Sequence, residues 1–246
     1  MNVDEIPKEI AERFASAKRI AVLTGAGISA ESGVETFRGE DGTWSKVNVE
    51  DVATPQAFER DPVRVWEWYD FRRNKLKSIE PNLAHYALAT MEKHFPHFAL
   101  VTQNIDGLHA RAGSNNIIEL HGNIWEVRDT LTDEISVLDQ SPLKDLPPHN
   151  DKGHMLRPNV VWFGEMLPPG AMETAAKEAE NCDVFLVVGT SAVVQPAASL
   201  PIIAKRSGAM VLEFTLQWTE ISDFVDHTFL GKAGETLPPF LGLISR

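Results

Sequence analysis

Four short segments of this chain carry residues whose types and spacing could hold and react a nucleotide. Gly25-Ala-Gly-Ile-Ser-Ala30 follows the apolar run Ile20–Thr24. Glycines after a buried strand let the backbone approach a pyrophosphate, and N–H groups at a helix start attract its charge. Thr102-Gln-Asn-Ile-Asp-Gly-Leu-His109 follows a second run, Phe98–Thr102. Its Gln103, Asn104 and Asp106 offer amide and carboxylate groups suited to a carboxamide and a ribose, or to an Asx-type turn. His121, in Leu120-His-Gly122, closes a third run. A histidine facing a crevice can act as a general base near neutral pH; a lone one is also a common structural group. Val187-Val-Gly189-Thr190-Ser191 repeats the strand-then-small-residue pattern, which suits a second phosphate or ribose contact, or a plain helix cap.

These segments need a frame to bring them together. Strands are expected at Ile20–Thr24, Phe98–Thr102, Ile117–Leu120, Val160–Phe163, Val184–Val188 and Met210–Phe214. Helices are expected at Glu5–Ser16, Pro62–Lys77, Leu83–Phe95, Pro169–Glu180 and Pro196–Ser207. Continuous apolar strands separated by helices predict an α/β fold, a parallel sheet covered on both faces. Pro62, Pro169 and Pro196 suit first helical turns. Polar residues at the carboxyl ends of such strands face a ligand crevice, and all four segments sit there. Two stretches break the alternation. Residues 33–52 are polar and Gly-rich, and residues 122–158 are charged, with weak alternation at Ile124–Val127 and Ile135–Leu138. Both read as excursions from the sheet that build a smaller lobe.

At 246 residues the chain suits one large domain, or one carrying a smaller insertion. With 35 acidic against 23 basic residues the net charge is −12, which disfavours nucleic acid as a partner because phosphate binding needs cations. The single cysteine, Cys182, permits no internal disulfide and fits a reducing compartment; beside Val184–Val188 it reads as packing. The first residues are acidic, without the apolar core of a signal peptide, and no apolar run approaches the ~20 residues of a membrane helix. A cytoplasmic location without membrane contact is expected.

The segments also carry a resemblance. The chain is similar to the sirtuins, NAD-dependent protein lysine deacylases. The shared motifs are Gly25-Ala-Gly-Ile-Ser-Ala-Glu-Ser-Gly33, Thr36-Phe-Arg38, Thr102–His109, Leu120–Gly122, Arg157-Pro158, Val161-Trp-Phe-Gly-Glu165, Gly189-Thr-Ser191 and Gly231-Lys-Ala-Gly-Glu235, in the family's order over nearly the whole length. The resemblance implies a Rossmann-like domain of residues 1–32, 82–121 and 159–246, and a small domain of residues 33–81 and 122–158. It implies that Gly25, Ala26, Gly27, Phe37 and Arg38 line the NAD site, with residues 33–52 closing over it. Gln103, Asn104 and Asp106 would hold the nicotinamide and its ribose, and Gly189, Thr190, Ser191 and the end of the Met210–Phe214 strand the adenosine half. His121 would be the base, with Asn104 beside it in the catalytic pair. Val161, Trp162, Phe163, Gly164 and Glu165 would pair with an acyl-lysine protein substrate as an added strand, and Val193 would also touch substrate. NAD would be consumed as co-substrate, giving nicotinamide and O-acyl-ADP-ribose.

Tyr69 and Arg72, at i and i+3 of the expected helix Pro62–Lys77, project from one face. An arginine fork beside a tyrosine hydroxyl matches a carboxylate, although an arginine packed over an aromatic is also common. The pattern resembles sirtuins with Tyr-x-x-Arg in the acyl pocket, which remove succinyl, malonyl and glutaryl groups; Ala53 matches the small residue that leaves room there. A plain deacetylase and an ADP-ribosyltransferase are the alternatives, and a non-catalytic NAD-binding module or a dehydrogenase fits His121 and Asn104 less well.

Sirtuins usually hold a structural zinc with two Cys-x-x-Cys pairs. The matching positions here are Asp129, Thr132, His149 and Lys152, with no cysteine anywhere in residues 122–158. Zinc is therefore expected to be absent. Asp129, Asp133, His149 and His154 form a conceivable substitute site, and packing of Ile124, Val127, Ile135, Val137 and Leu138 is the expected replacement. Glu35 replaces the family's proline before Thr36, and Thr215 replaces an asparagine after the last expected strand.

Overall fold

The computed structural model describes residues 1–36 and 47–244. Phe37 and Arg38 therefore lie outside the described residues. The apolar runs become strands of one parallel sheet: β1 (Arg19–Thr24), β2 (His97–Thr102), β3 (Ile117–Glu119), β7 (Val184–Val188), β8 (Met210–Thr215) and β9 (His227–Leu230), in the order β3-β2-β1-β7-β8-β9. Between them a three-stranded antiparallel sheet forms from β4 (Gly122–Asp129), β5 (Ile135–Val137) and β6 (Leu156–Val160), with β4 in the middle.

Alternating side chains of the parallel strands feed two cores, because successive strand residues point to opposite faces. Ile20 and Val22 pack with Phe14 of helix α1 (Lys8–Ser16) and with Leu88 and Met91 of α3 (Leu83–His94). Ala21 and Leu23 pack on the other side with Ala175 and Ala179 of α4 (Ala171–Asn181) and with Leu200 and Ala204 of α5 (Leu200–Arg206). Cys182 belongs to this second core, where burial pushes its thiol up to about 12. A third core joins the two excursions: Trp66 and Tyr69 of α2 (Pro62–Leu76) pack against Ile124, Val127, Leu156 and Val160.

Three sequence expectations change. Val160–Phe163 is not a strand; the strand is β6, ending at Val160, and residues 161–165 turn away. The cause is a bidentate ion pair in which Arg157 donates to both Glu165 oxygens at 2.6 and 2.9 Å, while Glu165 also accepts from the Trp162 N–H at 2.8 Å. The helix expected from Pro196 is a 3-10 turn at Ala197–Ser199 followed by α5, and the one expected from Pro169 begins at Ala171 after the left-handed Gly170. Strand β9 was not anticipated. Among the described residues no helix is long and apolar enough to cross a membrane.

Candidate active site

The strands β1, β2, β7 and β8 end on the same side, and a cavity of about 1040 Å³ opens there against the small lobe. This is the crevice beside a topological switch point, where β1 continues to β2 on one side and to β7 on the other. The floor is a mutual approach of two glycine turns. Gly27 N–H donates to Gly189 O at 2.8 Å, and a Cβ on Gly189, whose φ is +59°, would meet Ile28 N at 2.2 Å. Gly25, Ala26, Gly27, Gly189, Thr190 and Ser191 all line the cavity.

Beyond the end of β2, each polar side chain is aimed by a bond to its surroundings. Gln103 Nε2 donates to Thr190 Oγ1 at 3.0 Å, tying the ends of β2 and β7. Asn104 Nδ2 donates to Gly25 O at 3.1 Å and to Ser29 Oγ at 3.3 Å, so the amide's orientation is fixed. Asp106 is the exception. It does not line the cavity but lies buried behind the wall, accepting from Ser29 Oγ at 2.8 Å and from the Leu108 N–H at 2.9 Å. These two bonds hold Ser29 and the turn in place.

His121 faces the cavity just after β3, and its Nδ1 donates to Gln103 O at 2.9 Å. A carbonyl can only accept, so the Nδ1 carries the proton and Nε2 keeps a lone pair. Burial lowers the ring below its ordinary 6.5, with the Gln103 bond acting in the opposite direction. A neutral imidazole with Nε2 as acceptor is the form a general base requires.

The opposite wall comes from the small lobe. Ala53, Tyr69, Arg72, Val161, Trp162, Phe163, Gly164 and Glu165 line it; Val193 does not, and its neighbours Val194 and Gln195 do. The Tyr69 hydroxyl accepts from Trp162 Nε1 at 3.0 Å, and burial pushes its pKa up to about 12, so it stays a neutral phenol with a proton to give. The Arg72 guanidinium stacks 4.7 Å from the Trp68 ring centre. In the turn after β6, Val161 N–H donates to His121 O, Phe163 N–H to Ala53 O and Glu165 N–H to Trp162 O. Among the described residues, only the Gly164 N–H of this segment is left for an incoming chain.

Leu216, Gln217, Thr219, Lys232 and Ala233 also line the cavity, none of them anticipated as site residues. The end of the Met210–Phe214 strand was expected beside the adenosine half, and Phe214 and Thr215 do line the cavity; following the chain past that end, and applying the same rule to β9, would have found the rest. Thr215 Oγ1 donates to Gln217 O at 3.0 Å, so it braces the turn that Leu216 and Gln217 build.

The residues at the family's zinc positions do not fit that ion. Lys152 brings a cation, and Asp129 is fully engaged in hydrogen bonds. Its carboxylate accepts from Asn150 Nδ2 at 2.7 Å, His154 Nδ1 at 2.8 Å, Leu131 N–H at 2.8 Å and Thr132 N–H at 3.2 Å. Burial would raise this carboxyl, but those hydrogen bonds outweigh it and hold the group well below the usual carboxylate range. Asp133 and His149 do not join Asp129 and His154; no group of three or more His, Cys, Asp or Glu suited to a metal occurs among the described residues. Apolar packing is also less than expected. Ile124 and Val127 are buried, but Ile135 and Val137 are 50% and 72% exposed. Polar contacts centred on Asp129 tie the β4 end to residues 149–155.

Known proteins resemble this chain along most of its length. The model of the Sir2 family matches residues 25–196. An NAD-dependent protein deacylase of Archaeoglobus fulgidus is 46% identical over 231 residues, covering 94% of this chain and 94% of that protein. A solved Sir2 homologue in complex with NAD is 44% identical with a TM-score of 0.91, covering 98% of this chain and 94% of that one. A Sir2–p53 peptide–NAD+ complex is 32% identical with a TM-score of 0.82, covering 96% of this chain and 97% of that one.

Proposed function

We propose that this chain, which belongs to the Sir2 (sirtuin) family and is an NAD-dependent protein deacylase, prefers acidic acyl groups: succinyl, malonyl or glutaryl. The observation that carries this reading is the Tyr69–Arg72 face of α2, which lines the cavity beside Ala53 and Trp162. A charged, forked donor and a neutral phenol on one wall match the two oxygens of a carboxylate. The small Ala53 leaves depth for a dicarboxylic chain.

NAD is the co-substrate, and when bound it supplies the ribose carbon that takes up the acyl oxygen as nicotinamide leaves. The glycine floor takes the phosphates, and Thr190, Ser191 and the end of β8 take the adenosine half. Asn104 holds the nicotinamide ribose with an amide already oriented by Gly25 and Ser29. With NAD and acyl-lysine bound, His121 Nε2 would take the proton of a ribose hydroxyl, freeing its oxygen to add to the acyl carbon; entry of water and departure of the lysine amine would then leave O-acyl-ADP-ribose. The protein substrate enters along residues 161–165, where the Gly164 N–H and the segment's carbonyls offer main-chain pairing.

One observation favours a second reading. Arg72 stacks on Trp68, and an arginine held there for packing would leave a plain deacetylase. A competition assay separates the two. Acetyl-, succinyl-, malonyl- and glutaryl-lysine peptides of one sequence are supplied with NAD, and nicotinamide release is followed. The acidic-acyl reading predicts a kcat/KM advantage of about tenfold or more for at least one dicarboxylic substrate, the scale of a charged hydrogen bond. Equal or better use of acetyl-lysine selects the deacetylase.

A further inference from the structure

Helix α2 presents two adjacent faces to two different parts of the molecule. Tyr69 and Arg72 face the cavity. Asp70 and Arg73 follow each by one residue, a rotation of about 100° around the helix. That second face grips residues 138–143, the segment after β5 in the excursion that lacks the family's cysteines. Arg73, fully buried, donates from Nη2 to Leu138 O and, at 2.9 Å, to Gln140 O. Asp70, also buried, accepts from Ser141 Oγ at 3.2 Å and from the Leu143 N–H at 3.1 Å. Lys77 Nζ adds a bond to Ser141 O at 3.1 Å.

The clasp has a built interior. The Arg73 guanidinium carbon lies 5.9 Å from the Trp66 ring centre and 5.6 Å from that of Trp125 on β4. Trp66 Nε1 in turn donates to Leu156 O of β6 at 2.8 Å. Both Arg73 bonds leave one nitrogen, Nη2, and reach two carbonyls of residues 138–140, while Asp70 three residues earlier on the same face accepts from Ser141 and Leu143; bonds from two successive positions of one helix face fix its rotation as well as its distance. Turning α2 enough to break these bonds would carry Tyr69 and Arg72 with it, because a helix moves as a unit.

We propose that Asp70 and Arg73 are positioning residues of the acyl site, locking the rotation of α2 against residues 138–143 so that Tyr69 and Arg72 meet the acyl group. This rests on the reading that Tyr69 and Arg72 face that group. The second excursion then serves as the backstop of the specificity helix, and polar contacts give it the rigidity to do so.

The test uses the full chain with Asp70→Asn, Ser141→Ala and Arg73→Met, beside wild type. Ser141→Ala removes one hydroxyl and keeps a folded enzyme available should Arg73→Met fail to fold. Two readouts are taken: kcat and KM for succinyl-lysine peptide, acetyl-lysine peptide and NAD, and amide hydrogen exchange along α2. The clasp predicts a KM for succinyl-lysine peptide raised about three- to tenfold, the scale of one or two neutral hydrogen bonds. KM for NAD and use of acetyl-lysine should stay within about twofold, inside that same scale, and exchange should quicken in residues 66–76 and 138–143 but not in β1 or β7. Parallel losses on both peptides and NAD, or unchanged exchange in α2, would overturn it. If wild type shows no acidic-acyl advantage, the acyl reading fails by itself. Exchange then decides the clasp: faster in α2 supports the lock, unchanged rejects it.

Discussion

Trp162 donates its indole N–H to the hydroxyl of Tyr69 at 3.0 Å, joining the turn that follows β6 to the helix that carries Arg72. The phenol accepts that bond and keeps its own proton to give into the cavity. Tyr69→Phe should therefore act twice. It removes a donor to the acyl carboxylate, raising KM for succinyl-lysine by about tenfold, and it strands a buried indole N–H, lowering stability by ~1–3 kcal/mol. Kinetics with succinyl- and acetyl-lysine peptides and a denaturant titration check both effects. An unchanged succinyl KM would remove Tyr69 from the acyl site.

His121 should dominate the acid limb of the pH profile. Burial lowers its pKa, with the Gln103 carbonyl acting against that, so the ring is neutral at pH 7 and kcat/KM should fall only below about 6.5, where a base takes up its proton. His121→Ala should cost at least ~10²-fold in turnover, the usual scale for a general base, while NAD binding by calorimetry persists. Turnover within about threefold of wild type, far short of that scale, would sink the role.

Glu119, on β3 two residues before His121, gives a stability signature near neutrality. Burial raises it from 4.5 to about 7, opposed by the Asn123 amide and assisted by Glu126 and Asp106. Below pH 4.5 both folded and unfolded carboxyls are protonated and its contribution is fully present. As pH rises towards 7 the unfolded chain releases the proton first, so stability falls, and above 7 the loss is complete. Glu119→Gln should flatten that slope between pH 4.5 and 7 in denaturant titrations; an unchanged slope would contradict the assignment.

The purified protein should contain no stoichiometric zinc, and prolonged EDTA should leave activity and Tm unchanged. Asp129→Ala should lower Tm by releasing four hydrogen bonds at once. Elemental analysis giving about one zinc per chain, with a Tm lowered by the chelator, would reverse this conclusion.

What could be read from the sequence was local. Gly25–Ala30, Thr102–His109 and Gly189–Ser191 each follow an apolar run directly, so the rule that ligands gather at strand carboxyl ends puts Gly25, Ala26, Gly27, Gln103, Asn104, Gly189, Thr190 and Ser191 beside the cavity they line. What failed depended on distant partners. Val160-Val-Trp-Phe163 has the composition of a strand, and only the Arg157–Glu165 fork turns it away. The sequence groups Asp129 with Asp133, His149 and His154, but of these only the His154 side chain meets its carboxylate, joined by Asn150, which carries no metal-ligand signal. Ile135 and Val137 alternate as buried residues would, but β5 is an edge strand and exposes them. β9 is four residues with one buried apolar side chain, Phe229, too little for a periodic signal.

Whether Arg72 reads a carboxylate on the acyl group is decided by Arg72→Met assayed with two peptides that differ only in carrying succinyl- or acetyl-lysine. A charged hydrogen bond is worth ~1.5–3 kcal/mol, so kcat/KM for the succinyl peptide should fall about 10- to 150-fold, mainly through KM. Use of the acetyl peptide, which presents no carboxylate, should hold or improve. Equal losses on the two peptides would make Arg72 a structural residue and contradict the acidic-acyl reading.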